Sequence, residues 1–216
     1  MQAIADAFRA ISAGEGDVYI AGGVESMSRA PFVMGKSETP FARNMEVFDT
    51  TMGWRFINTA FSAQHHPFTM GETAENVAAK YNISREAQDA FALQSQERWA
   101  AAQAADKFAN EIIPIPIFQK GKQVDTFSMD EHPRATSMEA LGKLKPAFKT
   151  DGSVTAGNSS GINDGAAACL IVSEAFVNKH NLKPMARIVG AAVAGLDPAI
   201  MGVGPIPAVE KLLSRT

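Results

Sequence analysis

Between Ser153 and Ala168 the chain reads S-V-T-A-G-N-S-S-G-I-N-D-G-A-A-A, with glycine, serine and asparagine running straight into small apolar residues. Gly157, Ser159 and Gly161 satisfy G-x-S-x-G, the spacing of a nucleophile elbow, where a serine on a sharp strand-to-helix turn attacks an acyl carbon with a downstream histidine as base. The residues after this loop favour a strand, and the only downstream histidine, His180, sits in a polar Asn-Lys-His-Asn stretch. Serine hydrolysis is therefore poorly supported. The loop either lets backbone approach a ligand closely or makes a tight bend.

Three other groups invite chemistry. His65 and His66 are adjacent, so in regular structure their side chains diverge, and no i, i+4 partner or cysteine pair completes a metal set. The expectation is no metal site. Cys169 lies in the apolar run Ala166–Val172, where burial raises a thiol's pKa, and it reads as a packed core cysteine and not as a nucleophile. Arg134, Lys143, Lys145 and Lys149 face only Glu139, a local basic patch that either meets an anionic ligand or forms a solvated face. No phosphate-binding G-x-x-x-x-G-K-[ST] or strand-led G-x-G-x-x-G occurs.

The elements that would carry these residues follow from periodicity and capping. Met1, Ile4, Phe8 and Ile11 fall at helical spacing, Gly14 and Gly16 end the run, and Val18–Ala21 reads as a buried strand. Residues 30–150 are rich in loops and methionine. Within them, helices are expected from Thr73 to Tyr81 and from Ser84 to Phe108, with Thr73 and Ser84 as N-caps and Glu75 and Glu86 in the first turns complementing the helix dipoles. A strand at 166–172, a helix at 174–180, a strand at 186–194 and a proline-led helix from Ala208 complete the pattern, an α/β core with a helical excursion. A helix feeding a strand is ordinarily preceded by another strand in a parallel sheet. The uncapped opening helix and the closing helix without a glycine exit lead us to expect a piece of a longer protein.

The chain has 216 residues, 46% hydrophobic, with a formal charge of −3, enough to bury a core and without global attraction for nucleic acid or an anionic membrane. One cysteine excludes an internal disulfide and fits a reducing compartment, so the cytoplasm is the expected location. No apolar run approaches the ~20 residues of a membrane span.

Six stretches in order resemble the thiolase family: I-A-G-G-V-E-S-M-S from Ile20, M-G-E-T-A-E-N-V-A from Met70, S-R-E-A-Q-D-A-F-A-L-Q-S-Q from Ser84, L-K-P-A-F from Leu144, T-A-G-N-S-S-G-I-N-D-G-A-A-A from Thr155, and M-G-V-G-P-I-P-A from Met201. The run D-T-T-M-G-W-R-F-I-N at Asp49–Asn58 resembles the degradative branch acting on β-ketoadipyl-CoA. The resemblance implies a layered αβαβα fold, incomplete here, with an inserted helical loop domain. In those terms residues 1–29 end the first unit of the N-terminal half, 30–150 form the loop domain, 151–183 the remainder of that half, and 184–216 the start of the C-terminal half.

By the same resemblance the activity is acyl transfer between coenzyme A and β-ketoacyl-CoA through a cysteine thioester. A thiolate at a helix N-terminus attacks the ketone, oxyanion-hole donors hold the developing charge, and a second cysteine and a histidine move protons. The family's nucleophile stands in a C-G-S-G-M-Q-A-I-like stretch, whereas this chain begins Met1-Gln2-Ala3-Ile4 and stops before the family's later N-E-A-F, H-P and C-x-G-G-G segments. No catalytic residue is therefore expected within it.

The implied coenzyme A contacts are Arg134 at the adenine and phosphate end, Leu144 and Phe148 along adenine and pantetheine, Ala156 and Ser160 on the pantetheine arm, and Met70 and Met201 at the acyl thioester. Core packing is the alternative for the leucine, phenylalanine and methionines. Thr69 stands where many biosynthetic thiolases carry histidine before M-G, which leans toward the degradative branch. No tightly bound cofactor is implied. Coenzyme A and acyl-CoA are the substrates, nucleic acid and membrane are not partners, and a homo-oligomer, dimer or tetramer, is implied. The competing reading is a short, non-catalytic module that binds acyl-CoA or a partner.

Overall fold

The computed structural model describes residues 1–216, which divide into two compact units: residues 1–73 with 162–216, and residues 74–161.

In the first unit, α1 (Gln2–Ser12) buries Ala5 and Ala7 and ends where Gly14 takes φ +76°. It packs against β1 (Val18–Glu25) and β6 (Gly165–Val172), with Ile4, Phe8 and Ile11 half-buried on the face between the two alanines. These two strands pair antiparallel, from Val18 opposite Val172 to Glu25 opposite Gly165. The chain leaves β1 at Glu25 and returns at that residue's own register partner, so β6 must run back along it. Both ends of the ladder are clamped by side chains. The Ser28 amide and hydroxyl donate to Asp164 at 2.8 and 2.5 Å, and the Ser173 hydroxyl donates to Asp17 at 2.7 Å. Gly22 is required at mid-ladder, since a Cβ there would lie 2.9 Å from the Ala167 carbonyl oxygen.

Short strands β2 (Phe32–Met34) and β3 (Val47–Asp49) pair antiparallel, followed by α2 (Thr59–Ser62) capped by Asn58. Helix α3 (Met70–Tyr81) begins three residues before the expected cap. Thr73 is inside it, its hydroxyl donating to the Met70 carbonyl at 2.7 Å. The start is a capping box: Thr69 N–H donates to Glu72 Oε2 at 2.7 Å, and Thr69 Oγ1 accepts from Glu72 N–H at 3.4 Å. Thr69→Ala should lower stability by about 1 kcal/mol, with faster amide exchange confined to the first turn of α3 as the check.

Helix α6 (Glu174–Lys179), capped by Ser173, matches expectation, whereas α7 (Pro205–Leu213) starts three residues before the expected Ala208, its prolines lying within the first turn, and follows an unexpected 3-10 helix at Pro198–Val203. The strand expected at 186–194 is absent, because no neighbouring edge pairs with this segment. The Val193 carbonyl instead accepts from Lys211 Nζ at 2.9 Å, and Gly190 lies against Leu212. Cys169 is exposed, not packed in a core. Its strand belongs to a two-stranded ribbon, and the thiol's one hydrogen bond runs to the Ala21 carbonyl at 3.5 Å.

The second unit contains most of α3, then α4 (Arg85–Ala104), a hairpin of β4 (Ile115–Gln119) and β5 (Lys122–Phe127), and α5 (Met138–Gly142). Ser84 caps α4 as expected, accepting from Ala87 N–H at 3.2 Å. The hairpin turns on Lys120-Gly121, both left-handed at φ +49° and +76°, the geometry of a two-residue primed turn. Its alternation was hidden in a stretch that otherwise reads as loop. The unit's interior is small and partly polar: Ala78, Leu141 and Val154 are buried together with Glu75, Asp89 and Thr155. No helix is long and apolar enough to cross a membrane.

Candidate functional site

The loop from Ser153 to Gly161 carries neither the strand before nor the helix after that an elbow needs, and Ser159 is no strained nucleophile. It is a braced wall. Asn158 is its internal staple: the side-chain oxygen accepts from Thr155 N–H at 2.8 Å, while the amide donates to the Ser153 carbonyl at 3.1 Å and to Asp89 Oδ1 at 2.9 Å. Thr155, fully buried, turns its hydroxyl to accept from Gly157 N–H at 3.1 Å.

Two helices hold this wall from behind. Glu75 on α3 accepts from the amides of Ser153 and Val154 at 2.8 and 2.7 Å and from the Ser153 hydroxyl at 3.0 Å. Burial pushes this carboxyl's pKa upward, but the hydrogen bonds from Ser153 and Val154, with the charge of Lys149, outweigh it and hold it below the usual value. Asp89 on α4, 2% exposed, takes the Asn158 amide on one oxygen and Arg85 Nε at 2.7 Å on the other. Arg85 then donates to the Leu141 and Leu144 carbonyls at 2.7 and 3.0 Å. One buried carboxylate thus ties the loop, α4 and the end of α5 together.

The residues expected to meet coenzyme A fall in two groups. Leu144, Phe148, Ala156 and Ser160 lie on segments joined by the Ala147 N–H to Val154 carbonyl bond at 2.9 Å, with Ala156 and Ser160 exposed and Phe148 half-buried. Arg134 lies in the same unit, exposed, its backbone amide donating to Gln96 at 3.0 Å. Within the basic patch Lys143 is paired to Glu139, whereas Arg134, Lys145 and Lys149 form no ion pair. Met70 and Met201 belong to the other unit, both exposed, at the start of α3 and in the 3-10 helix. The vicinal histidines contact different rings, His65 on Phe61 and His66 on Phe68.

Gly157 gives the glycine signal a specific cause. A Cβ there would sit 2.5 Å from Leu144 Cδ1 and 2.6 Å from Leu141 Cδ2. The close approach is to the protein's own leucines. Leu141 is buried and cannot retreat, so Gly157→Ala should cost about 1–3 kcal/mol through overpacking; chemical denaturation of the full-length protein measures it.

Glu75, Asp89, Arg85 and Asn158 were not singled out by sequence reasoning as parts of this site. Glu75 and the acidic residues of α4 look like ordinary helix-surface acids. The only local hint was an acid on the otherwise small-residue face Glu75-Ala78-Ala79, which burial makes unusual.

The family profile described as "Thiolase, N-terminal domain" matches residues 1–175. The chain is 56% identical over all its 216 residues to the β-ketoadipyl-CoA thiolase of Pseudomonas putida, covering 54% of that protein. It is 52% identical to the 3-oxoadipyl-CoA/3-oxo-5,6-dehydrosuberyl-CoA thiolase of Escherichia coli, again covering 54%. Human mitochondrial 3-ketoacyl-CoA thiolase in complex with CoA superposes at TM-score 0.81 with 44% identity, over 97% of this chain and 51% of that one. The chain spans about half the length of the curated relatives it matches. With an α/β architecture shared with solved thiolases and a matched domain covering most of its residues, the chain belongs to the thiolase family.

Proposed function

We propose that the protein carrying this chain is an acyl-CoA C-acyltransferase that cleaves or forms β-ketoacyl-CoA, passing the acyl group to coenzyme A through a cysteine thioester formed by residues outside these 216. The observation that carries this reading is identity of 52–56% to β-ketoadipyl-CoA and 3-oxoadipyl-CoA thiolases across every residue of the chain. The direction that matches those names is degradative: C2–C3 cleavage of 3-oxoadipyl-CoA by CoA gives acetyl-CoA and succinyl-CoA. Coenzyme A is a substrate, with no tightly bound cofactor. The enzyme works in the cytoplasm as a homo-oligomer without nucleic-acid or membrane partners.

In this reading the chain contributes binding, with Arg134 toward the 3′-phosphate end, Leu144 and Phe148 along the adenine and pantetheine, and Ala156 and Ser160 on the pantetheine arm. Met70 and Met201 line the acyl end. The domain division at residues 29, 150 and 183 belongs to the same reading. Support comes from the exposed cations Arg134 and Lys145 on the unit that holds the rigid loop, since a polyphosphate requires donors not already engaged with a carboxylate.

Full-length protein mixed with 3-oxoadipyl-CoA and CoA should release acetyl-CoA and succinyl-CoA. Absence of thiolysis on this and on unbranched β-ketoacyl thioesters would refute the function. Arg134→Ala should raise the Kd for CoA about tenfold, equivalent to about 1.4 kcal/mol, and raise that for 3′-dephospho-CoA by less. Equal losses for both ligands would remove Arg134 from the phosphate.

A further inference from the structure

A β-ketoadipyl thioester differs from an ordinary β-ketoacyl thioester by a second carboxylate at the far end of the acyl chain. Selecting it requires a cation that is held in place and not already neutralised. In the first unit Arg9 is paired with Asp6, Arg187 with Glu174, and Lys211 is spent on a backbone carbonyl. Arg55 is different. Its guanidinium makes a single long hydrogen bond, 3.3 Å from Nη1 to the Gly53 carbonyl, and pairs with no carboxylate. The nearest acid in sequence, Asp49, is committed to the Thr51 amide and hydroxyl at 2.8 and 2.6 Å.

The backbone on either side of Arg55 is fastened. Trp54 donates its indole N–H to the Phe68 carbonyl at 2.8 Å, two residues before Met70. Phe56 packs edge-on to Phe48 with ring centroids 5.1 Å apart and lies against Gly35, where a Cβ would come within 3.1 Å of its ring. Phe56 also adopts φ +51°, a conformation a bulky side chain rarely takes unless its surroundings enforce it. Trp54, Phe56 and Ile57 each remain about half exposed, so the fastened segment presents apolar surface beside an unpaired guanidinium. That pairing suits methylenes ending in a carboxylate.

We infer that Arg55 binds the distal carboxylate of a dicarboxylic acyl-CoA and sets the protein's preference for it over monocarboxylic chains, Trp54 and Phe56 holding the arginine in position. The inference rests on the acyl-transfer reading and on Met70 lining the acyl end. Recognition is bidentate, two parallel N–H donors on one carboxylate, so lysine replaces arginine poorly.

The test compares 3-oxoadipyl-CoA with 3-oxohexanoyl-CoA, the same chain length without the second carboxylate, on full-length protein. Arg55→Gln should lower kcat/KM for 3-oxoadipyl-CoA about 100-fold and leave 3-oxohexanoyl-CoA within about twofold, and Arg55→Lys should fall between. Retained turnover of the monocarboxylic substrate shows that the variant is folded. Equal losses on both substrates, or no loss on either, overturn the role of Arg55 while leaving the acyl-transfer reading intact. A wild-type protein that cleaves neither thioester overturns both.

Discussion

Glu75→Ala should destabilise the full-length protein by about 3 kcal/mol and loosen residues 153–155 selectively. The carboxylate accepts two backbone amides and a hydroxyl in a nearly buried position, and truncation leaves the Ser153 and Val154 amides without partners. Each unsatisfied buried donor costs about 1–3 kcal/mol, and bonds to an ionised acceptor are worth more than neutral ones. Glu75→Gln keeps one carbonyl for the two amides and loses the charge, so its cost should be about half as large. Amide exchange localises the effect. Unchanged protection at Ser153 and Val154 in the alanine variant would refute the brace.

The same carboxylate makes stability depend on pH with a definite sign. Its folded pKa lies below the ordinary value of 4.5, so the unfolded chain takes up the proton first as pH falls. The stabilisation is therefore complete above the unfolded pKa and is lost as pH drops through the folded one. Glu75→Gln should flatten the acid limb of the stability profile below about pH 4.5 and leave its shape near neutrality unchanged, readable from urea midpoints between pH 3 and 7.

Asp89→Ala is the second large effect, about 3 kcal/mol. Removing one member of a buried ion pair strands its partner's charge, which costs about 3–5 kcal/mol. The lower end applies because the Arg85 side chain is 20% exposed and keeps two carbonyl acceptors. The loss extends to Asn158, whose amide gives up one of its two acceptors and with it the tie between the loop and α4. Under the proposed function, in which this loop walls the coenzyme A arm, CoA affinity should also fall although Asp89 itself is buried. A cycle with Arg85→Ala should show coupling of 0.5 kcal/mol or more between the two positions, and strict additivity would mean that the pair does not act as a unit.

The sequence by itself determined whatever depends on neighbours within a turn or on whole-chain composition. Ser84 and Ser173 cap the helices they precede, Gly14 ends α1 with a positive φ, and the apolar run 165–172 is a strand. Six motifs in order carried the family and its α/β fold, which the matched domain and the solved relatives support. The T-x-x-E of Thr69–Glu72 marks the true start of α3 and is local chemistry too, although the expected cap lay at Thr73 instead.

Tertiary structure alone decided which acids leave the helix surface for the loop. Glu75 lies 78 residues from Ser153 and Asp89 lies 69 from Asn158, separations at which no periodicity or propensity operates. Pairing between distant segments also set the direction of β6 against β1, the exposure of Cys169 on a two-stranded ribbon, and the absence of a strand at 186–194, where apolar alternation found no edge to bind. A strand needs a partner's hydrogen bonds and a buried carboxylate needs another segment's amides. Those requirements are met only when remote parts of the chain arrive at the same place.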